Sequence, residues 1–281
     1  MSQNGKLSRF WIQELTRPAF EDWLENEPDP VVIIGIGAIE QHGLHLPLGT
    51  DSLGCREYIH EVASLTNSVC IHPCWPGFSP HHMSFPGTVT FSSDTLLGIL
   101  MDTIGSFAHH GVKRFVLVNH HGGNTQTMNL AAQLAKREYN VMIAAPEGPR
   151  ETELAKKIQE RMQRYLEVHS GPRETAYALH YFPELCEMWR LEDWESGVVI
   201  SDQLREFMDP DREDYELVSQ VFNACLGTNT EDITRNGQYA TTDPRTADPK
   251  EAEASMAEAV KFMVDFIELW KSIPVPKCFL D

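Results

Sequence analysis

Apolar residues in this chain come in short unbroken runs separated by longer stretches of helical periodicity. Val31-Val32-Ile33-Ile34-Gly35-Ile36-Gly37 is the clearest run. Dense in Val and Ile, it predicts a parallel strand buried on both faces. Phe115-Val116-Leu117-Val118 and Val141-Met142-Ile143-Ala144-Ala145 repeat the pattern, and Val69-Cys70-Ile71 is a shorter version. Between the runs the period changes. Phe20, Trp23 and Leu24 fall at helical spacing, which predicts a short helix covering the sheet. From Asp51 to Ala63 apolar positions recur at three and four, so a helix begins near Asp51. Ser93-Asp94 reads as the cap of a helix running to about His109, and further helices are predicted over about 125–138 and 151–167. Asp248-Pro249, with Glu251 three positions after Asp248, opens a last helix that ends near Lys271. Val198-Val199-Ile200 reads as one more strand. Segment 73–92, with Pro73, Pro76, Gly77, Pro80, Pro86 and Gly87, reads as a long functional loop. The alternation of strand and helix predicts an α/β fold with a mostly parallel sheet covered on both faces. No repeat, low-complexity tract or linker interrupts it, so residues 1–281 are expected to form a single domain.

Composition narrows the class. Lys and Arg total 23 against 41 Asp and Glu, a formal charge of −18 over 281 residues. So acidic a chain repels phosphate backbones and anionic lipid, which argues against a nucleic-acid or membrane partner. The six cysteines are scattered without a C-x-x-C pair and are expected to be reduced, as in a cytoplasmic protein. Residues 1–6 show no signal-peptide core, and no apolar run approaches the ~18 residues of a membrane helix.

The chemistry gathers where the runs stop. After the strand at 31–36 come Glu40, His42 and Asp51, separated by a Gly-Leu-His-Leu-Pro-Leu-Gly turn long enough to fold back. Carboxylates and imidazoles are metal donors, and the carboxyl ends of parallel strands are where α/β proteins place sites. One carboxylate can bridge two divalent ions, as in two-metal hydrolases. The strand at 115–118 ends in Asn119-His120-His121-Gly122-Gly123-Asn124, where either His120 or His121 is placed to complete a metal shell. His169 and Glu174 form a third piece, with Glu174 a candidate ligand and His169 a candidate proton relay. His81 and His82, before Phe85-Pro86-Gly87-Thr88, suit a pocket wall. His45, His60, His72 and His180 are read as structural, and His109-His110 as a helix-end feature.

Taken together, these segments resemble the creatininase (creatinine amidohydrolase) family. The matching residues are Gly37-Ala38-Ile39-Glu40-Gln41-His42-Gly43 with His45-Leu46-Pro47-Leu48-Gly49-Thr50-Asp51, His82 with Phe85-Pro86-Gly87-Thr88, residues 119–124, and His169-Ser170-Gly171 with Glu174-Thr175. Asn236-Gly237 with Asp243-Pro244 is a weaker echo, and the likeness spans about residues 30–265. It implies a three-layer α/β/α fold, a homo-oligomer such as a hexamer, and two divalent ions (Zn, Mn or Fe). Carried over, Glu40 binds one ion and His42 the other, with Asp51 bridging. His121 joins His42, and Glu174 completes the shell of the Glu40 ion. His169 and Glu174 are the implied proton-transfer groups, and His82 and His120 are expected in the substrate pocket. The implied reaction is hydrolysis of a C–N bond in a cyclic amide or formamide. The alternatives are opening of a lactone or cyclic ketone, or a metal-bearing protein that binds a small ligand without turnover. The chain departs from the creatinine-cleaving members at Gly123, where they carry a glutamate ligand, at His120, where a glycine is usual, and in having no Trp within 150–175. Creatinine is therefore not the expected substrate.

Overall fold

The computed structural model describes residues 6–279. Among these, four strands form one parallel sheet: β1 (Val31–Ile36), β2 (Val69–Ile71), β3 (Arg114–Asn119) and β4 (Met142–Ala144), in the order β2-β1-β3-β4. Helices α1 (Arg17–Asn26), α2 (Thr50–Thr66), α3 (Ser93–His109) and α4 (Thr125–Glu138) connect and cover these strands. Then come α5 (Glu153–Arg164), α6 (Pro172–Tyr181), the single turn α7 (Asp202–Arg205), α8 (Tyr215–Cys225) and the long α9 (Pro249–Lys271).

The period of two along each strand sorts the core into two layers. Val32, Ile34 and Ile36 of β1, with Phe115 and Leu117 of β3, pack against Trp23 of α1, Leu96, Leu100 and Ile104 of α3 and Met128 of α4. Val31, Ile33, Val116 and Val118 point the other way, onto Cys55, Ile59 and Val62 of α2 and Val260, Met263 and Ile267 of α9. Each of these aliphatic side chains contributes about 1.5–3 kcal/mol by burial. Helices thus lie on both faces of a parallel sheet, the α/β architecture that the runs and spacings predict. A smaller cluster, Leu166, Ile200, Phe222 and Tyr239, binds the chain after α5 to α8.

Some local expectations are corrected. Ser92, not Ser93 or Asp94, caps α3, its side chain accepting from the Thr95 amide. Val198–Ile200 is not a strand; only Val198 makes a bridge, to Thr234, and Ile200 packs in the smaller cluster. Asp248 caps α9, but Glu251 pairs with Arg161 and Lys157. The strand order reverses direction between β1 and β3, so a crevice opens at their carboxyl ends.

Candidate metal centre

The segments leaving β1 and β3 fill the crevice. The Glu40 amide donates to Leu48 O and the Thr50 amide to Pro47 O, which folds segment 40–50 back and sets Asp51 in the first turn of α2. A carboxylate there is favoured by the helix dipole. The register pairs Ile36 with Asn119, and the His120 amide donates to Ile36 O. His121 therefore emerges beside Glu40. Asn124 fastens the 73–92 loop over both strand ends, accepting from the Phe78 amide at 2.8 Å and donating to Gly37 O at 2.9 Å.

These contacts bring the donors together. His121 Nδ1 lies 3.2 Å from Glu40 Oε2 and 3.3 Å from Asp51 Oδ2. His42 Nε2 lies 3.4 Å from Asp51 Oδ1 and 4.0 Å from Glu174 Oε2. Asp51 thus turns one oxygen to each histidine. Glu40, His42 and Asp51 are almost wholly enclosed, yet Glu40 Oε2, His42 Nε2 and Asp51 Oδ2 have no hydrogen-bond partner. Buried polar atoms left unpaired are rare and costly. The expected grouping of His121 with His42, and of Glu174 with Glu40, is not the one these distances favour.

Ring orientation is set from outside the cluster. A carbonyl oxygen only accepts, so His42 Nδ1–H donates to Glu40 O, His121 Nε2–H to Phe78 O and His169 Nε2–H to Gln41 O. Each ring then turns its other nitrogen inward, as outer hydrogen bonds do for metal-bound histidines. His169 Nδ1 stands 3.8 Å from Glu40 Oε1 and 3.9 Å from Glu174 Oε2. His82 is arranged the opposite way. Its Nδ1 accepts from Gln41 Nε2 at 2.8 Å and meets Thr230 Oγ1 at 2.9 Å, so Nε2–H faces Glu40 Oε1 at 3.4 Å.

The electrostatics show how the enclosed carboxylates and imidazoles balance one another. Burial and Asp51 push the Glu40 carboxyl up, but His121 and His169 outweigh them and hold it at about 2. Asp51 also lies below the ordinary range, because His42 and His121 overcome its burial. Burial disfavours charge on His42, yet Asp51, Glu174 and Glu40 raise it to about 9. His121, also against its burial, is raised to about 10 by Asp51 and Glu40. Burial wins at His82, which falls to about 3, and at His120, which falls to about 4. Without another cation, the two imidazoles that touch Asp51 take up protons to balance the carboxylates.

Two cavities meet at this cluster. One, of about 660 Å³, is lined by Glu40, His81, His82, His169 and Tyr239; the other, of about 500 Å³, by Asn119, Arg173 and Tyr177. Asp51, His120, His121 and Glu174 line both. Glu40, His42, Asp51, His121, His169 and Glu174 are therefore brought to one place. His82 lines a cavity, but Gln41, Thr230 and Glu40 occupy its nitrogens. His120 hydrogen-bonds Tyr177 through Nδ1 at 3.1 Å. At Gly123 a Cβ would fall 2.2 Å from Phe78 O and 2.5 Å from His121 Nε2, so no side chain fits. His45, with Thr175, and His60, stacked on Trp11, lie outside the cluster.

Gln41 is a member of the site that its residue type did not announce. Its amide also donates to Gly237 O, and its Oε1 accepts from the Gly43 amide. Gly237 has φ of +82°, and a Cβ there would lie 1.9 Å from Gln41 Oε1. The signal was Gln41 between two candidate donors, with Asn236-Gly237 far along the chain. Asn124 and Tyr177 were equally unassigned.

The sequence profile of the creatininase family, described as creatinine amidohydrolase, matches residues 13–267. The chain belongs to the creatininase family. Among curated relatives it is 25% identical over 177 residues to 3-dehydro-scyllo-inosose hydrolase of Thermotoga maritima, covering 59% of this chain and 55% of that one. It is 29% identical over 165 residues to the mycofactocin precursor peptide peptidase of Mycolicibacterium smegmatis, covering 55% and 59%. To creatinine amidohydrolase of Pseudomonas putida it is 27% identical over 180 residues, covering 59% and 69%. The chain thus matches a little over half the length of the first two. A solved manganese creatininase superposes with a TM-score of 0.71 at 22% identity, over 95% of this chain and all of that one, which establishes the shared fold. Among the described residues no helix is long and apolar enough to cross a membrane, and all six cysteines are free thiols.

Proposed function

We propose that this creatininase-family chain acts as a single-domain, metal-dependent hydrolase of a C–N bond in a small molecule, with two divalent ions bound. The observation that carries it is the convergence of Glu40 Oε2, His42 Nε2 and Asp51 Oδ2, buried and without partners. Glu40, Asp51 and His121 would hold one ion; His42, Asp51 and Glu174 the other. This moves Glu174 to the His42 side, where its Oε2 lies 4.0 Å from His42 Nε2. Mixed oxygen and nitrogen donors suit Zn, Mn or Fe. The family's solved structures include a manganese form and a Zn–Zn form.

Two such ions, when bound, supply Lewis-acid polarisation of a carbonyl and an acidified water. The remaining work falls to the protein. Asp51 keeps the two donor sets at a fixed separation. His82 and Gln41 pin the Glu40 carboxylate. His169, its Nε2–H held by Gln41 O, can take a proton only at Nδ1, beside Glu174, and is the group that passes it to the leaving nitrogen. Glu174 is steadied by the Ser170 amide at 2.6 Å and by Arg173 at 3.1 Å. An open proton acceptor of this kind favours an enzyme over a binding protein. The Thermotoga relative supports a second reading, ring opening of a cyclic substrate on the same residues. Homo-oligomeric assembly, as a hexamer, and a cytoplasmic location complete the proposal.

The test is metal-replete protein, analysed for ion content and then offered formamides, cyclic amides, short peptides and lactones in a pH-stat. Two ions per chain and turnover of an amide are expected. One ion at saturation overturns the two-ion assignment, and turnover of lactones alone overturns the C–N assignment.

A further inference from the structure

His81 has no part in the proposed reaction, yet it faces the same cavity. Pro80–His82 is a single 3-10 turn that sends two consecutive imidazoles toward Glu40. His82 is locked by Gln41, Thr230 and Glu40. His81 makes no hydrogen bond or ion pair among the described residues, and it is half-buried. Its ring lies 5.6 Å from that of His121 at an interplanar angle of 7°. One ligand atom each from Glu40, His81 and His121 lie within 4.8 Å of one another. The turn is also anchored: the Ser79 amide donates to Thr90 Oγ1 and the Phe78 amide to Asn124. An imidazole with both nitrogens uncommitted is thus held beside the Glu40 carboxylate, whose Oε2 itself lacks a partner.

We propose that His81 is a further donor to the ion held by Glu40, Asp51 and His121. The inference rests on the two-ion reading and deepens it, because it adds an imidazole to the Glu40 position, and imidazole favours zinc over manganese or magnesium.

The experiment is calorimetric titration of metal-stripped protein with zinc chloride and, separately, manganese chloride. Wild type, His81→Ala, His81→Gln and Asp51→Asn are compared, and circular dichroism confirms folding of each. Wild type should show two zinc events. In His81→Ala one of them should weaken at least about tenfold, the loss typical when a metal's surroundings are disturbed. The other should stay within about twofold, as expected for a site the change does not touch. The zinc-over-manganese preference should shrink with it. His81→Gln, which keeps the side-chain bulk, should behave like His81→Ala and stands in for it if alanine disturbs the loop. A folded His81 variant with the wild-type zinc isotherm overturns the assignment. Asp51→Asn should lose both events. If it does while the His81 variants bind normally, only the His81 assignment fails; if Asp51→Asn binds both ions like wild type, the two-ion reading itself fails.

Discussion

Buried charge sits at both ends of the central strands, and the two ends treat it differently. At the amino end Arg114 opens β3 with only 2% of its surface exposed. Its Nη1 lies 2.6 Å from Asp29 Oδ1, and its Nη2 donates to Ile273 O at 2.6 Å. One cation meets one anion, and Asp29 keeps a third of its side chain in water. At the carboxyl end Glu40, Asp51 and Glu174 converge on imidazoles, and donor atoms remain without partners. The first arrangement pairs its charges within the protein and leaves only Arg114 Nε without a partner. The second leaves Glu40 Oε2, His42 Nε2 and Asp51 Oδ2 unpaired in one place, and that convergence of donors is what separates a candidate site from a structural charge pair.

Substitutions at the two ends should therefore fail in different ways. Asp51→Ala removes the group shared by both donor sets. Turnover should fall by at least about 10³-fold, because groups that act as a unit are lost together, and elemental analysis should find both ions gone. Arg114→Met breaks the amino-end pair. Chemical denaturation should show a loss of about 3 kcal/mol, the low end for a broken buried pair because Asp29 reaches solvent, with ion content unchanged. An Arg114→Met protein of normal stability but reduced metal content would erase the distinction between the ends. Gln41→Ala frees His82 and leaves Glu40 less well held. Zinc affinity should drop about tenfold, with KM for any substrate little altered.

The smallest effect expected is a pH trend. His42 and His121 are raised to about 9 and about 10 in the ion-free protein, so their stabilising charge is fully present below the ordinary histidine value near 6.5. It is lost as pH rises toward 9–10. Glu40, held at about 2, adds stability above its ordinary value of 4.5 that is lost in acid. Metal-stripped protein should then melt at lower temperature as pH is raised from neutrality, while metal-loaded protein, its histidines already neutral, should not. The same protons must leave on metal binding, so affinity should rise over that range. A metal-stripped protein whose melting temperature rises with pH would contradict this account of the pocket.

Most of the regular elements were legible because their signals are local. β1 and β3 are runs of Val, Ile and Leu, and Asp248-Pro249 marks the start of α9 through side-chain and ring chemistry that acts within one turn. The chain after α5 was harder to read. Val198–Ile200 has the composition of a strand, but no strand is close enough to pair with more than Val198, so Ile200 serves a small core instead. α6 and α8 were not foreseen, since Pro172 opens α6 directly behind the His169 segment and α8 shows only Val218 and Phe222 as buried residues.

For the site, the sequence by itself determined the kinds of donor and the strand ends that carry them, because both depend on residue type and on where an apolar run stops. Which donor stands beside which was decided by the tertiary structure. Register places Asn119 beside Ile36, and so His121 beside Glu40 instead of His42. The return of segment 40–50 gives Asp51 an oxygen toward each histidine. The 73–92 loop, pinned by Asn124, sets Phe78 O against Gly123 and carries both His81 and His82 to the Glu40 carboxylate. These are contacts between residues tens of positions apart. They depend on strand pairing and loop closure, for which no single stretch of the chain carries the signal.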